Sequence, residues 1–511
     1  MVLLTELPPE IIQHVLGYVD PPDLAWVPRI CKSFYYIVNG NASLFRAVYL
    51  NHYDSPPNNS NLNWEHALKN AIRLQVICRR EDVHDKKHEL PFVYDTIKSL
   101  LQNAATDTER VRQTTHPTSR NASLLNFIFK DETNQSAFLC RSYLYERARQ
   151  ESPRGGYSTP KANHQKSAHL HCLYGVPMLY AHPEAHQTRR SRMGPYACSK
   201  VYDLRQYTEN TKWGPFMDDS TDRTDWEKVE AIMIVIGANL RKLGLTKFPV
   251  CKNFWEVPFA GTWPGSYKAI PIVHEPEPLD LQDPYGITGT WLRVVCFLDY
   301  TDFFAYNFTA EDQPATDIPR PTIDVGEATR LILMKIRVTR IEPPGPDDGQ
   351  GLPVVHFEGI SRSLDDSYDE NANSDLRGMR GSVRLTREGE VRWTTFSVFG
   401  GVERWRSESV QVGGVKSAKG VLGNWFDKDF DPRGPAGPTA FWKVSDRVTE
   451  SGGYRALMQD FLPLIQGEPD DPTDYENGQS GDDEGEEDDE PGHELEITEI
   501  SEISWVAWTD D

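Results

Sequence analysis

At 511 residues, with 38% hydrophobic content, 13 Trp and 21 Tyr, the chain is too long for one small domain and suits two or three with cores of their own. The net charge of −22 is local: residues 468–511 hold nineteen of the 76 Asp+Glu and no Lys or Arg, leaving 57 acids against 54 bases elsewhere. A near-neutral body has no basic field to gather nucleic acid, and no stretch nears the roughly 18 apolar residues of a membrane span.

The opening Met1-Val2-Leu3-Leu4-Thr5-Glu6-Leu7-Pro8 lacks the basic start and apolar run of a secretory leader. Seven scattered cysteines, an odd number, read as reduced thiols. The expectation is an intracellular protein of the cytoplasm and/or nucleus.

Prolines 8 and 9 open a helix with Ile11, Ile12, Val15, Leu16 and Val19 at helical spacing. Asp20-Pro21-Pro22-Asp23 breaks it, and a second helix follows with Leu24, Val27, Ile30 and Cys31. Phe34, Tyr35, Ile37 and Val38 mark a third, with Leu44, Phe45 and Val48 beyond Asn39-Gly40-Asn41. So few residues cannot cover every apolar face they present, which implies a partner. Leu7-Pro8-x-Glu10-Ile11, Val15-Leu16, Pro22-x-Leu24 and Cys31-Lys32-x-Phe34, ending at Leu44-Phe45, resemble the F-box in order, spacing and type. The resemblance implies a Skp-family adaptor and, through it, cullin and RING subunits. Leu7, Pro8, Ile11, Leu16, Leu24, Cys31 and Phe34 would lie in or under that interface. Phe45 departs from the Trp many members carry there.

From 51 to 160 the pattern is helical and interrupted, with Trp64, Leu68, Ala71 and Ile72, then Phe92, Val93, Ile97, Leu100 and Leu101, then Leu139, Tyr143 and Leu144. Thr224-Asp225-Trp226-Glu227 predicts a capping box, Trp226, Val229, Met233, Ile236 and Leu240 one apolar face, and Gly244 the end of that helix. Strand-like runs follow at 259–273, 289–308, 329–341, 354–361, 381–386, 391–399, 409–415 and 439–444, with a hairpin loop at Arg387-Glu388-Gly389-Glu390. The fold class expected is α+β, with an antiparallel, lipocalin-like β-barrel over 161–465 and a disordered acidic tail over 466–511.

His171-Cys172-Leu173-Tyr174-Gly175-Val176-Pro177, Val201-Tyr202-Asp203-Leu204-Arg205, Trp213-Gly214-Pro215-Phe216 and Asp225-Trp226-Glu227-Lys228-Val229-Glu230 are similar to a group of filamentous-fungal F-box proteins. So is the stretch from Gly389 through Trp393, Trp405 and Trp425 to Asp431-Pro432-x-Gly434-Pro435. Gly261-Thr262-Trp263 resembles the barrel-opening strand of lipocalins and of metazoan F-box proteins whose barrel reads a short degron.

Arg392-Trp393, Arg404-Trp405-Arg406 and Trp425 pair a guanidinium fork with a flat apolar wall, suited to a carboxylate, a phosphate or a peptide end. With Trp263 they are the candidate substrate residues: Trp263, Arg392, Arg404, Trp405, Arg406 and Trp425. Alternation puts Arg392 and Trp393 on opposite faces. His164, His169, His171, Cys172, His182, His186 and Cys198 fit no standard zinc spacing, so no metal is expected. There is no nucleophile elbow, P-loop or convincing dinucleotide fingerprint, so no cofactor and no catalysis are expected. The function expected is the substrate receptor of an SCF-type cullin-RING E3 ubiquitin ligase. Alternatives are an F-box protein acting outside the ligase and a lipocalin-like small-molecule-binding barrel.

Overall fold

The computed structural model describes residues 7–57, 61–106, 118–149, 161–179, 193–243, 257–267, 277–308, 318–363 and 377–446. The expected acidic tail lies outside them. Four helices come first: α1 (Pro9–Leu16), α2 (Pro21–Leu24), α3 (Lys32–Val38) and α4 (Ala42–His52). Proline begins both α1 and α2, where a fixed φ suits the helix and the missing N–H leaves nothing unsatisfied. Asn41 starts α4, its Oδ1 accepting from the Leu44 amide at 3.1 Å.

A helical layer continues through α5 (Trp64–Cys78), α6 (Leu90–Gln102), α7 (Arg120–Ile128), α8 (Tyr143–Arg149), α9 (Lys161–Tyr174), α10 (Met193–Tyr202) and α11 (Trp226–Lys242). Two expectations change at α11. Its N-cap is Asp225, whose Oδ1 accepts from the Glu227 and Lys228 amides at 3.1 and 3.3 Å, a charged acceptor matched to the helix dipole. Thr224 is held instead in a β-bridge to Phe216, with its hydroxyl buried and unpartnered. Nor does α11 have one apolar face: nearly every side chain from Trp226 to Leu240 is buried, because α9 and α10 pack on one side and strands on the other. The expected stop at Gly244 lies outside the described residues.

Eight antiparallel strands then close a barrel in sequential order: β1 (Gly289–Leu298), β2 (Glu327–Glu342), β3 (Val354–Ser363), β4 (Arg377–Leu385), β5 (Val391–Phe399), β6 (Val402–Gln411), β7 (Val421–Asp427) and β8 (Ala436–Ser445). Pairing of β1 with β8 seals it, which leaves no edge strand. Helix α12 (Tyr300–Phe308) lies between β1 and β2. Alternation gives each strand an outer face and a lumen face. Outward, Leu292, Val294, Cys296, Leu422, Ala440 and Trp442 join the core that includes α11. Inward, Trp291, Phe357, Trp393 and Phe441 join a second core.

Three strand expectations are corrected. Residues 257–267 form turns, with φ of +57° at Phe259 and +67° at Gly261, and residues 268–273 lie outside the described part. The run at 289–308 divides at Asp299, whose Oδ1 accepts from the Thr301 amide at 2.8 Å and starts α12. At 409–415 only the end of β6 is strand; the chain then turns through Gly413 and Gly414, both at positive φ. Strand β7 was not anticipated, because Gly423-Asn424 interrupts its seven residues.

Candidate docking surface and capture barrel

Helices α1 to α4 build a small core from Ile12, Leu16, Leu24, Val27, Phe34, Val38, Leu44, Phe45 and Val48. What they leave outside is unusual. Of sixteen exposed large hydrophobic residues among those described, seven lie between Ile11 and Tyr36. Ile11 is 49% exposed, Trp26 61%, Ile30 68% and Tyr36 75%. An apolar concentration of this kind marks an interaction surface. Arg29 lies over the Trp26 ring at 4.4 Å, holding the indole outward.

The residues nominated from sequence divide into two layers. Pro8 and Ile11 are exposed, Leu7 and Cys31 are half-buried, and Leu16, Leu24 and Phe34 lie in the core beneath. Ile30, expected inside its helix, is on the surface because residues 27–29 form a 3-10 turn that rotates it outward. Trp26 and Tyr36 were not nominated; their signal was large apolar side chains at positions the helical stripes do not use.

This surface is fixed to the rest of the chain through α4. Buried Asp54 accepts from the Arg120 and Asn121 amides at 2.9 and 3.2 Å, at the positive end of α7. Asn121 replies by accepting from the Asp54 amide at 3.1 Å. Tyr49 stacks on Tyr53 with centroids 4.8 Å apart and meets Trp64 of α5 edge-on at 5.6 Å. A family model described as F-box-like matches residues 4–51. The chain carries an F-box-like domain. F-box domains dock Skp-family adaptors of SCF-type ligases, and they characteristically occur in non-catalytic adaptor subunits. No curated protein and no solved structure matches the chain.

In the barrel the six candidate substrate residues part company. Arg392 and Arg406 point outward and share the buried carboxylate of Glu408: Arg392 Nε and Arg406 Nε reach it at 2.9 and 3.0 Å. Thr394 donates to the same group at 3.0 Å. Burial raises the Glu408 pKa, but the two guanidiniums outweigh it and hold the carboxyl below its usual range. These arginines fasten β5 to β6, and both pair with a carboxylate inside the barrel wall. Trp263 is fully buried and lies between the helical layer and the β6–β7 turn, its Nε1 donating to Thr106 Oγ1 at 3.2 Å. Arg404 is exposed on the outer face, over the Trp405 ring at 5.4 Å. Trp405 and Trp425 meet edge to face at 5.4 Å, on lumen positions of β6 and β7.

The lumen differs at its two ends. At one, Trp393 touches Trp291, Phe441 and Phe357 with centroids 5.0, 5.5 and 5.6 Å apart, an aromatic plug. Outside the plug a cavity of about 220 Å³ is lined by Tyr267, Tyr285, Trp291, Lys416, Lys443 and Asp446. Lys443 pairs there with Asp446 and donates to the Gly286 carbonyl at 2.9 Å, so its charge is already answered. At the other end Val295, Ile332, Ser397 and Trp405, all on lumen positions, keep partial exposure.

Two of the histidines are held by internal contacts. His171 Nδ1 is 2.7 Å from Glu230 Oε1, and His169 stacks on Trp226 at 3.5 Å. Among the described residues no group of three His, Cys, Asp or Glu could hold a metal; His182 and His186 lie outside them. No helix among the described residues is long and apolar enough to cross a membrane.

Proposed function

We propose that the chain is a substrate receptor of an SCF-type cullin-RING ubiquitin ligase, acting in the cytoplasm and/or nucleus. Its F-box docks a Skp-family adaptor, and through it cullin and RING subunits, while the barrel captures a protein substrate. The observation that carries this reading is the row Ile11, Val15, Trp26, Ile30 and Tyr36, exposed on a helical unit that is otherwise packed and rigidly joined to α7. The mechanism is positional: a substrate held at a fixed distance from the charged conjugating enzyme gains effective concentration, and the receptor contributes no reacting group.

Affinity purification of the tagged chain after ligase inhibition, beside an Ile11→Asp/Ile30→Asp variant, tests it. Adaptor and cullin recovered with wild type and lost from the variant, while other partners remain, support the receptor reading. Adaptor without cullin assigns a role outside the ligase, and neither partner removes the reading altogether.

A further inference from the structure

Arg293 is the one charged residue in the strand Thr290-Trp291-Leu292-Arg293-Val294-Val295-Cys296. On β1 it sits opposite Phe441 and Ile332, both of which face the lumen core, whereas its neighbours Leu292 and Val294 face the helical layer. It is only 6% exposed. Its Nε donates to Thr439 Oγ1 at 2.9 Å, and the Thr439 hydroxyl is itself spent on the Val294 carbonyl at 3.0 Å. Among the described residues no carboxylate pairs with this guanidinium. Burial alone pulls its pKa down to about 10. The contrast inside the same molecule is direct: buried Arg392 has Glu408 and buried Arg320 has Asp203. A desolvated cation with no counter-ion is costly, and such a cost is retained where a ligand meets it.

A second group stands with it. Thr439, Gly423 and Ser409 are directly opposite one another on β8, β7 and β6. The Ser409 hydroxyl is buried with no hydrogen-bond partner. Two strand spacings of roughly 4.8 Å each separate Thr439 from Ser409 across a glycine, so both unanswered donors lie on one belt of the inner wall. The aromatic plug closes one side of that belt. On the other side Trp405 and Trp425 stand at lumen positions, and neighbouring inner residues are partly exposed.

We infer that the barrel lumen binds a carboxylate through Arg293, with Ser409 as a further donor, and that the carboxylate is carried on an apolar stem lying along Trp405 and Trp425. The guanidinium fork of Arg293 matches the two oxygens of one carboxylate. Apolar walls with a few convergent polar groups are the usual make-up of a ligand pocket. The inference rests on the reading of the barrel as the capture domain and gives capture its chemistry; the stem is either the C-terminal end of an extended peptide or a small amphipathic acid.

Calorimetric titration of the full chain tests it with two acids: decanoate, and an octapeptide pool randomised in its last four residues with a free C-terminus. Decanamide and the C-terminally amidated pool are the neutral controls. At least one acid binds saturably and about tenfold or more tighter than its amide, and Arg293→Met weakens it by a similar factor. Decanoate alone identifies a small acid, and the pool alone a peptide end. Because Arg293 has no counter-ion among the described residues, Arg293→Met melts at or above the wild-type temperature, and Arg293→Lys keeps part of the affinity. Binding of neither acid, equal binding of acid and amide, unaltered binding by Arg293→Met, or a melting temperature several degrees lower overturns the proposal. Adaptor recovery by Arg293→Met stays at the wild-type level; its loss would count against the ligase reading and not against the lumen site.

Discussion

The F-box and the barrel use the same residue types to opposite ends. Around Trp26 the arginine and the aromatics face outward, and the apolar area they present has no cover within the chain. Around Glu408 two arginines turn against the barrel wall and neutralise a carboxylate that water does not reach. An Arg–Trp dipeptide in sequence therefore does not say whether it binds a partner or braces a sheet. What separates the cases is whether the charge is answered internally, and by that measure Arg293 belongs with the unanswered surface at Trp26 despite its burial.

The sharpest way to break the comparison is to remove the internal answer. Glu408→Ala leaves Arg392 and Arg406 packed around a vacancy and lowers the unfolding free energy by about 3–5 kcal/mol. Denaturant titration at constant slope checks it; a change below about 1 kcal/mol would mean that water satisfies these arginines. A smaller effect is expected at Lys419, a buried amine whose Nζ reaches, among the described residues, only the Tyr174 carbonyl, at 3.5 Å, and whose pKa burial lowers from 10.5 to about 7. Between pH 7 and 10 the unfolded lysine keeps its proton and the folded one has lost it, so stability rises with pH across that window. Lys419→Met flattens the rise and adds about 1 kcal/mol or more at pH 7, read from melting curves at several pH values. Smallest is Asp54→Ala, which removes the carboxylate from the start of α7 and costs about 0.5–1 kcal/mol. Faster amide exchange at residues 120–122 with an intact barrel is its signature, and unchanged exchange there would break the claim that the F-box is rigidly joined to the helical layer.

The sequence was most legible where spacing is local. Prolines 8 and 9, the spacing of Leu44, Phe45 and Val48 and the alternation in β2, β3 and β5 each report their own surroundings, and those elements formed where they were expected. It was least legible where one residue's role depends on a distant strand. The lumen-to-wall assignment of Arg392 and Arg406 is settled by Glu408, sixteen residues from Arg392 in sequence. The run from Phe259 to Val273, described as far as Tyr267, reads as strand because its composition is apolar and aromatic. Its positive φ values and its bonds to the β6–β7 turn, such as Gly261 O accepting from the Ala418 amide at 3.1 Å, are set by tertiary contact. Ile30 and Tyr36 were the hardest of all, because a surface waiting for a partner looks like a core until the rest of the core is in place.

The central claim is that the exposed apolar face of α1 to α3 docks a Skp-family adaptor. The most direct measurement is calorimetric titration of purified adaptor into the full chain, wild type and Ile11→Asp/Ile30→Asp, with melting temperatures recorded for both. The account predicts saturable binding by wild type, a loss of at least about 100-fold in the variant, and melting temperatures that agree closely because both side chains are exposed. Equal adaptor binding by the two proteins, or none by wild type, would contradict it.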